Sequence, residues 1–241
     1  MFEEDIADIR PTKSVIVSTI LRPVDDPLAA RALSPASYGR LGGWLFRHRT
    51  IIPLPLAIAV LGLRIGEVPP SNWLIGFGIG LTAAGEALRL WAVHHIGAVS
   101  RTRSERLGPL IASGPFALVR NPLYLGNIAL WAGFAVTARL VWLVPVFVLL
   151  LAIEYHAIVR WEEQLLAGRL GDDYRVYLAR VPRWWPRLNR EARGDRGEKP
   201  DSASSTLTAV AFSWRETFFS ERGTLLAMAV GYAALWIKAR F

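Results

Sequence analysis

Residues 121–153 read NPLYLGNIALWAGFAVTARLVWLVPVFVLLLAI, an apolar run whose single charged side chain, Arg139, stands near its middle. A membrane-crossing helix needs roughly 20 mostly apolar residues. The segments Asn121–Ala138 and Leu140–Ile153 approach that length, and Arg139 can reach toward lipid head groups from between them. The pattern predicts a tight helical hairpin that turns at Arg139 on the outer face of a bilayer. Its second helix continues past Ile153 into the cytosol through Glu154, Arg160 and Glu163. Pro122 suits the first turn of the first helix, where the N–H it lacks would be unpaired anyway.

Further windows without Asp, Glu, Lys or Arg lie on either side: Thr50–Leu63, Val68–Gly85 and Gly223–Ile237. Arg64 and Lys238 close two of them as snorkelling residues, so the expected fold is an all-α integral membrane protein with about five transmembrane helices. Of 28 Lys and Arg, only Arg64, Arg139, Lys238 and Arg240 fall on one side of such a topology. Basic residues stay cytoplasmic, which predicts a cytoplasmic-membrane protein with its N-terminus inside and its C-terminus outside. Trp73, Trp142 and Trp236 sit near span ends, where interfacial aromatics belong.

The 241 residues are 52% hydrophobic with a net charge of +8. A surface facing anionic lipid accounts for that charge, so no nucleic-acid partner is expected. Cysteine is absent, which excludes disulfides, thiolate metal sites and a cysteine nucleophile. Residues 1–49 carry charges and prolines before any apolar core, unlike a cleavable signal peptide, and read as a cytosolic and interfacial arm. Residues 50–188 form the transmembrane core, 189–206 a charged, low-complexity linker with almost nothing to bury, and 207–241 a segment with the fifth span. The run Gly76-Phe77-Gly78-Ile79-Gly80 lacks the third glycine of a dinucleotide loop and follows no strand. Gly76 and Gly80 instead suit a packing face between helices.

Two stretches carry possible chemistry. The first is Gly114-Pro115-Phe116-Ala117-Leu118-Val119-Arg120-Asn121-Pro122-Leu123-Tyr124-Leu125-Gly126. A helix starting at Pro122 offers free backbone N–H groups and a positive dipole end. Arg120 adds a permanent charge, and Tyr124 an aromatic face one turn in. Such a place can hold a carboxylate, and it is equally a loop-to-helix junction anchored by a snorkelling Arg. The second is Glu162-Glu163 followed by Leu165, Gly171, Tyr174, Tyr177 and Val181-Pro182-Arg183-Trp184-Trp185-Pro186. Adjacent helical carboxylates point about 100° apart and cannot address one atom. They serve either a ligand or a solvated helix face with Arg160 and Arg169. Glu86 and Arg89, at i and i+3 near the inner end of the second span, read either as an ion pair or as lining of a substrate pocket. His94-His95 have no partners that would complete a metal site, and none is expected.

Together these signatures, on either side of one hairpin, resemble the isoprenylcysteine carboxyl methyltransferase and phospholipid methyltransferase superfamily of integral membrane enzymes. The resemblance runs from about Asn72 to Leu188. It implies S-adenosylmethionine as cofactor, bound at the cytoplasmic face by Arg120, Asn121, Pro122, Tyr124, Leu125, Glu162, Glu163, Tyr174 and Tyr177, with Arg120 and Glu163 as catalytic residues. The acceptor it implies is a lipid or small hydrophobic molecule. Asn121 stands where many members have His and cannot carry a proton. Some membrane sterol and lipid reductases share part of both signatures. Their nicotinamide-site residues do not match Arg160-Trp161-Glu162-Glu163 or Gly168-Arg169-Leu170-Gly171. A non-enzymatic membrane scaffold is the remaining alternative.

Overall fold

Arg139 turns a helical hairpin, as its place in the apolar run predicts. The computed structural model describes residues 35–97, 110–186 and 213–241. These form six helices: α1 Pro35–His48, α2 Leu54–Gly62, α3 Asn72–Ile96, α4 Pro122–Thr137, α5 Leu143–Arg180 and α6 Trp214–Lys238. A 3-10 turn at Gly114–Ala117 precedes α4, and no strand occurs among the described residues. The expected linker at 189–206 and most of the expected N-terminal arm lie outside the described residues. Tyr38–Phe241 cluster into one compact unit.

Pro122 opens α4 at its first turn. At the other end, Arg139 adopts a left-handed conformation (φ 63°), which is uncommon for a residue with a Cβ. Its N–H donates to the Val136 carbonyl at 2.9 Å, and its own carbonyl accepts from Val68 N–H at 2.9 Å. An ion pair with Glu67 holds the side chain. Lys238 joins Glu67 at 3.1 Å and donates to the Val60 and Leu63 carbonyls, while Arg64 donates to the Lys238 carbonyl. Three of the four basic residues set apart by charge placement therefore meet at this end of the bundle.

The helix α4 lies at the centre, with Gly126, Leu130, Ala132, Gly133, Phe134, Ala135 and Val136 buried. It packs most extensively on α3, and small residues make that possible. A Cβ on Gly85 would stand 2.6 Å from the Gly126 carbonyl oxygen, and one on Gly78 would stand 2.7 Å from Thr137 N. The packing glycines of α3 are thus Gly78 and Gly85. Around Gly76 and Gly80, expected to pack between helices, there is open space. The buried stripe Gly78, Thr82, Gly85, Glu86, Arg89 lies on a different side of the helix.

Large apolar side chains face outward on α2 (Ile58), α3 (Phe77), α5 (Leu149, Ile153) and α6 (Leu226, Val230). The count of five crossings is not matched by five helices of crossing length. Among the described residues α5 alone is long and apolar enough to cross a membrane. The first window yields only the nine-residue α2, about 14 Å long, because Pro53 interrupts it. The 25 residues of α3 include the charged Glu86 and Arg89, α4 has 16 residues, and α6 begins with Arg215, Glu216, Glu221 and Arg222.

Candidate functional site

The last turns of α5, beyond a break at Gly171, fold back on the turn that precedes α4. Gly171 allows this: its φ of 56° and ψ of −127° break the helix in a region closed to residues with a Cβ. The last turns then bring Tyr174 and Tyr177 inward, packed with Val181 and Leu110. The Tyr177 hydroxyl donates to the Phe116 carbonyl at 2.8 Å, and burial pushes its pKa up to about 12. The Arg120 N–H donates to the Pro182 carbonyl at 2.9 Å, and the Asn121 amide donates to the Arg183 carbonyl at 3.3 Å. The two signatures are therefore stitched together through backbone groups.

Glu163 sits at the centre of this junction. Arg120 Nη1 donates to its Oε1 at 2.7 Å. Arg183 grips both oxygens of the same carboxylate with one edge of its guanidinium, Nε to Oε1 at 3.0 Å and Nη2 to Oε2 at 2.6 Å. This fork geometry is the strong form of an Arg–carboxylate pair, and it holds Arg183 above the usual guanidinium range. Arg120 retains one buried donor, Nε, without a partner.

Glu162 points elsewhere. Its Oε2 accepts from the Tyr124 hydroxyl at 3.1 Å, and the Tyr124 ring stacks on Tyr155 with centroids 4.7 Å apart. Burial raises its pKa to about 7, against the opposing effects of the Tyr124 hydrogen bond and the Arg49 charge. A carboxyl tuned to neutral pH can accept a proton from a reacting group at working pH.

Arg120, Asn121, Pro122, Tyr124, Glu162, Glu163, Tyr174 and Tyr177 thus gather in one region. Leu125 contributes a backbone N–H to the Asn121 carbonyl. Glu86 and Arg89 form a second polar cluster, buried between α3, α4 and α6. Arg89 binds Glu86 at 3.0 Å and Glu221 at 2.5 Å, and it also donates to Asn127 and Thr224. The Asn127 side chain in turn lies beside Tyr155, which links this cluster to the Tyr124 stack. Arg49, Asn127 and Glu221 are additions to the residues singled out from sequence, and Arg183, quoted there only as part of the second signature, gains a partner in Glu163. Among the described residues no group of three or more His, Cys, Asp or Glu comes together as a metal-binding set.

Residues 73–173 match the phospholipid methyltransferase family, within the isoprenylcysteine and phospholipid methyltransferase superfamily. The chain is also 28% identical over 165 residues to the cobalt-zinc-cadmium resistance protein CzcN of Cupriavidus metallidurans, covering 64% of this chain and 72% of that protein. It is 28% identical over 159 residues to the nickel-cobalt-cadmium resistance protein NccN of Alcaligenes xylosoxydans xylosoxydans, covering 62% and 70%. No solved structure matches.

Proposed function

We propose that this protein is an integral membrane methyltransferase that uses S-adenosylmethionine to methylate a lipid-associated or small hydrophobic acceptor at a carboxylate, amine or thiol. The observation that carries the reading is the Arg120–Glu163–Arg183 junction, which joins the two family signatures in space. The unpartnered, buried Arg120 Nε is a donor suited to the cofactor carboxylate, and Glu162 and Tyr124 offer polar groups for its amino group or ribose. When bound, S-adenosylmethionine supplies a methyl group already activated on a sulfonium. The protein's share is therefore alignment, which can contribute roughly 7–11 kcal/mol toward the barrier. Arg120 and Tyr124 orient, Glu163 fixes Arg120, and Glu162 takes a proton where the acceptor is an amine.

The bilayer placement belongs to the same proposal, with five crossings, the N-terminus inside and the C-terminus outside. Along α5 the distance from Trp142 to Glu162 is about 30 Å, close to the thickness of a hydrocarbon core. The outward apolar side chains of four helices and the basic cluster around Glu67 support it. The relatives' names connect those proteins with resistance to cobalt, zinc, nickel and cadmium. The acceptor is accordingly to be sought among membrane components of cells under metal stress.

Calorimetry on the detergent-solubilised protein tests the reading. S-adenosylmethionine should bind, and a Glu162→Gln, Glu163→Gln double variant should bind it far more weakly. Binding of NADPH instead would point to a reductase, and binding of neither to a scaffold. A reporter fused after Phe241 should appear on the outer side of the membrane.

A further inference from the structure

We propose that Arg49 recognises an oxyanion, a carboxylate or a phosphate, carried by the methyl acceptor. The inference rests on the methyltransferase reading and assigns acceptor recognition to a residue outside the matched segment 73–173. Arg49 directly follows α1, and its guanidinium carbon lies 3.9 Å from the centre of the Phe46 ring. Stacking fixes the face of the group and leaves its edge donors free to bind. One of them, Nη1, is buried and has no hydrogen-bond partner. A guanidinium has donors only and keeps its charge at any working pH, so only an acceptor oxygen satisfies such a group.

No carboxylate of the described residues fills that role. The Arg49 charge reaches Glu162, Tyr124 and Tyr155, yet the Glu162 oxygen is hydrogen-bonded to Tyr124 and Glu163 is occupied by Arg120 and Arg183. Arg49, Arg120 and Arg183 therefore set three permanent positive charges against two carboxylates. The cofactor, itself net cationic, adds to the excess. An acceptor with only a cationic head would worsen the imbalance, whereas an oxyanion relieves it. The setting suits an amphiphile. On α1, Gly42 lies against Ala157 and Trp161 of α5, while Leu41 and Trp44 stay exposed as an apolar surface for a tail.

The test uses full-length protein in maltoside micelles, saturated with S-adenosylmethionine and titrated calorimetrically with dodecyl phosphate, dodecanoate and dodecyltrimethylammonium. At least one of the two anionic amphiphiles should bind and the cation should not; whichever anion binds names the acceptor's group. Arg49→Gln should weaken that binding by roughly one to two decades, Arg49→Lys should recover part of it, and cofactor affinity should stay unchanged in both. Equal anion binding in wild type and Arg49→Gln overturns the proposal, as does binding of the cation alone or of no amphiphile. If Arg49→Gln also loses the cofactor, Arg49→Lys alone decides: a selective loss of anion affinity supports the assignment, and none overturns it. A wild type that binds the anion through Arg49 but not S-adenosylmethionine would sink the methyltransferase reading instead.

Discussion

Glu163 lies between Arg120 and Arg183 with both oxygens engaged, whereas Glu162, its neighbour on α5, meets one tyrosine hydroxyl. The two carboxylates share a helix turn and differ by about 100° of rotation, enough to send one toward the Arg120 turn and the other toward α4. Their chemistry diverges accordingly. Glu163 is gripped by two guanidiniums. Glu162 is held up to about 7 by burial and sits poised between its two states. One carboxylate holds the junction of the two signatures together; the other is free to act on what enters it.

Replacing Glu163 is the most severe way to break this contrast. Glu163→Gln leaves Arg120 and Arg183 facing a neutral amide, and removing one member of a buried ion pair typically costs about 3–5 kcal/mol. The side chains are 13%, 14% and 25% exposed, so a loss of about 3 kcal/mol is expected. Thermal unfolding in detergent should show it, together with a collapse of cofactor affinity. An unchanged melting temperature would mean that the triad is a loose surface arrangement.

A smaller effect is expected at Arg120. Arg120→Lys keeps a charge beside Glu163 but loses the planar fork and its spare Nε. Stability should change little, while affinity for S-adenosylmethionine should fall by about 1.5–3 kcal/mol, one to two decades. Full affinity in the Lys variant would reduce Arg120 to a helix anchor.

What the sequence makes legible here is local. Pro122 announces the start of α4, Arg139 the turn of the hairpin, and the spacing of the two signatures the region they share. The length of α2 is less visible, because a charge-free window passes over Pro53 without a break. The packing face of α3 is ambiguous for a different reason: five residues offer Gly76, Gly78 and Gly80 at once. Requiring Glu86 and Arg89 to face inward selects Gly78 and Gly85, since these share one helical stripe. The partnership of Arg89 with Glu221 has no such signal. It spans 132 residues, and nothing in the composition of α6 says which helix its buried carboxylate will meet. Arg49 was hidden likewise, one basic residue among several at the end of an interfacial segment.

The finest test of the contrast is the pH dependence of Glu162. Its carboxyl has an ordinary pKa of 4.5 and one of about 7 in the fold. Between those values the folded protein holds a proton that the unfolded chain has released, so stability falls as pH rises. The contribution is complete below pH 4.5 and gone above pH 7. Glu162→Gln removes the need to ionise a buried group, so at pH 8 the variant should be more stable than wild type. Each pKa unit corresponds to about 1.4 kcal/mol; partial exposure of Glu162 reduces the expected gain to about 1–2 kcal/mol. At pH 4.5 the two proteins should unfold nearly together. Melting curves from pH 4.5 to 8 that run parallel for Glu162→Gln and wild type would mean that Glu162 is solvated like any surface carboxylate. Its assignment as the proton-accepting group would then fall, and the Arg120–Glu163–Arg183 junction would stand without a chemical neighbour.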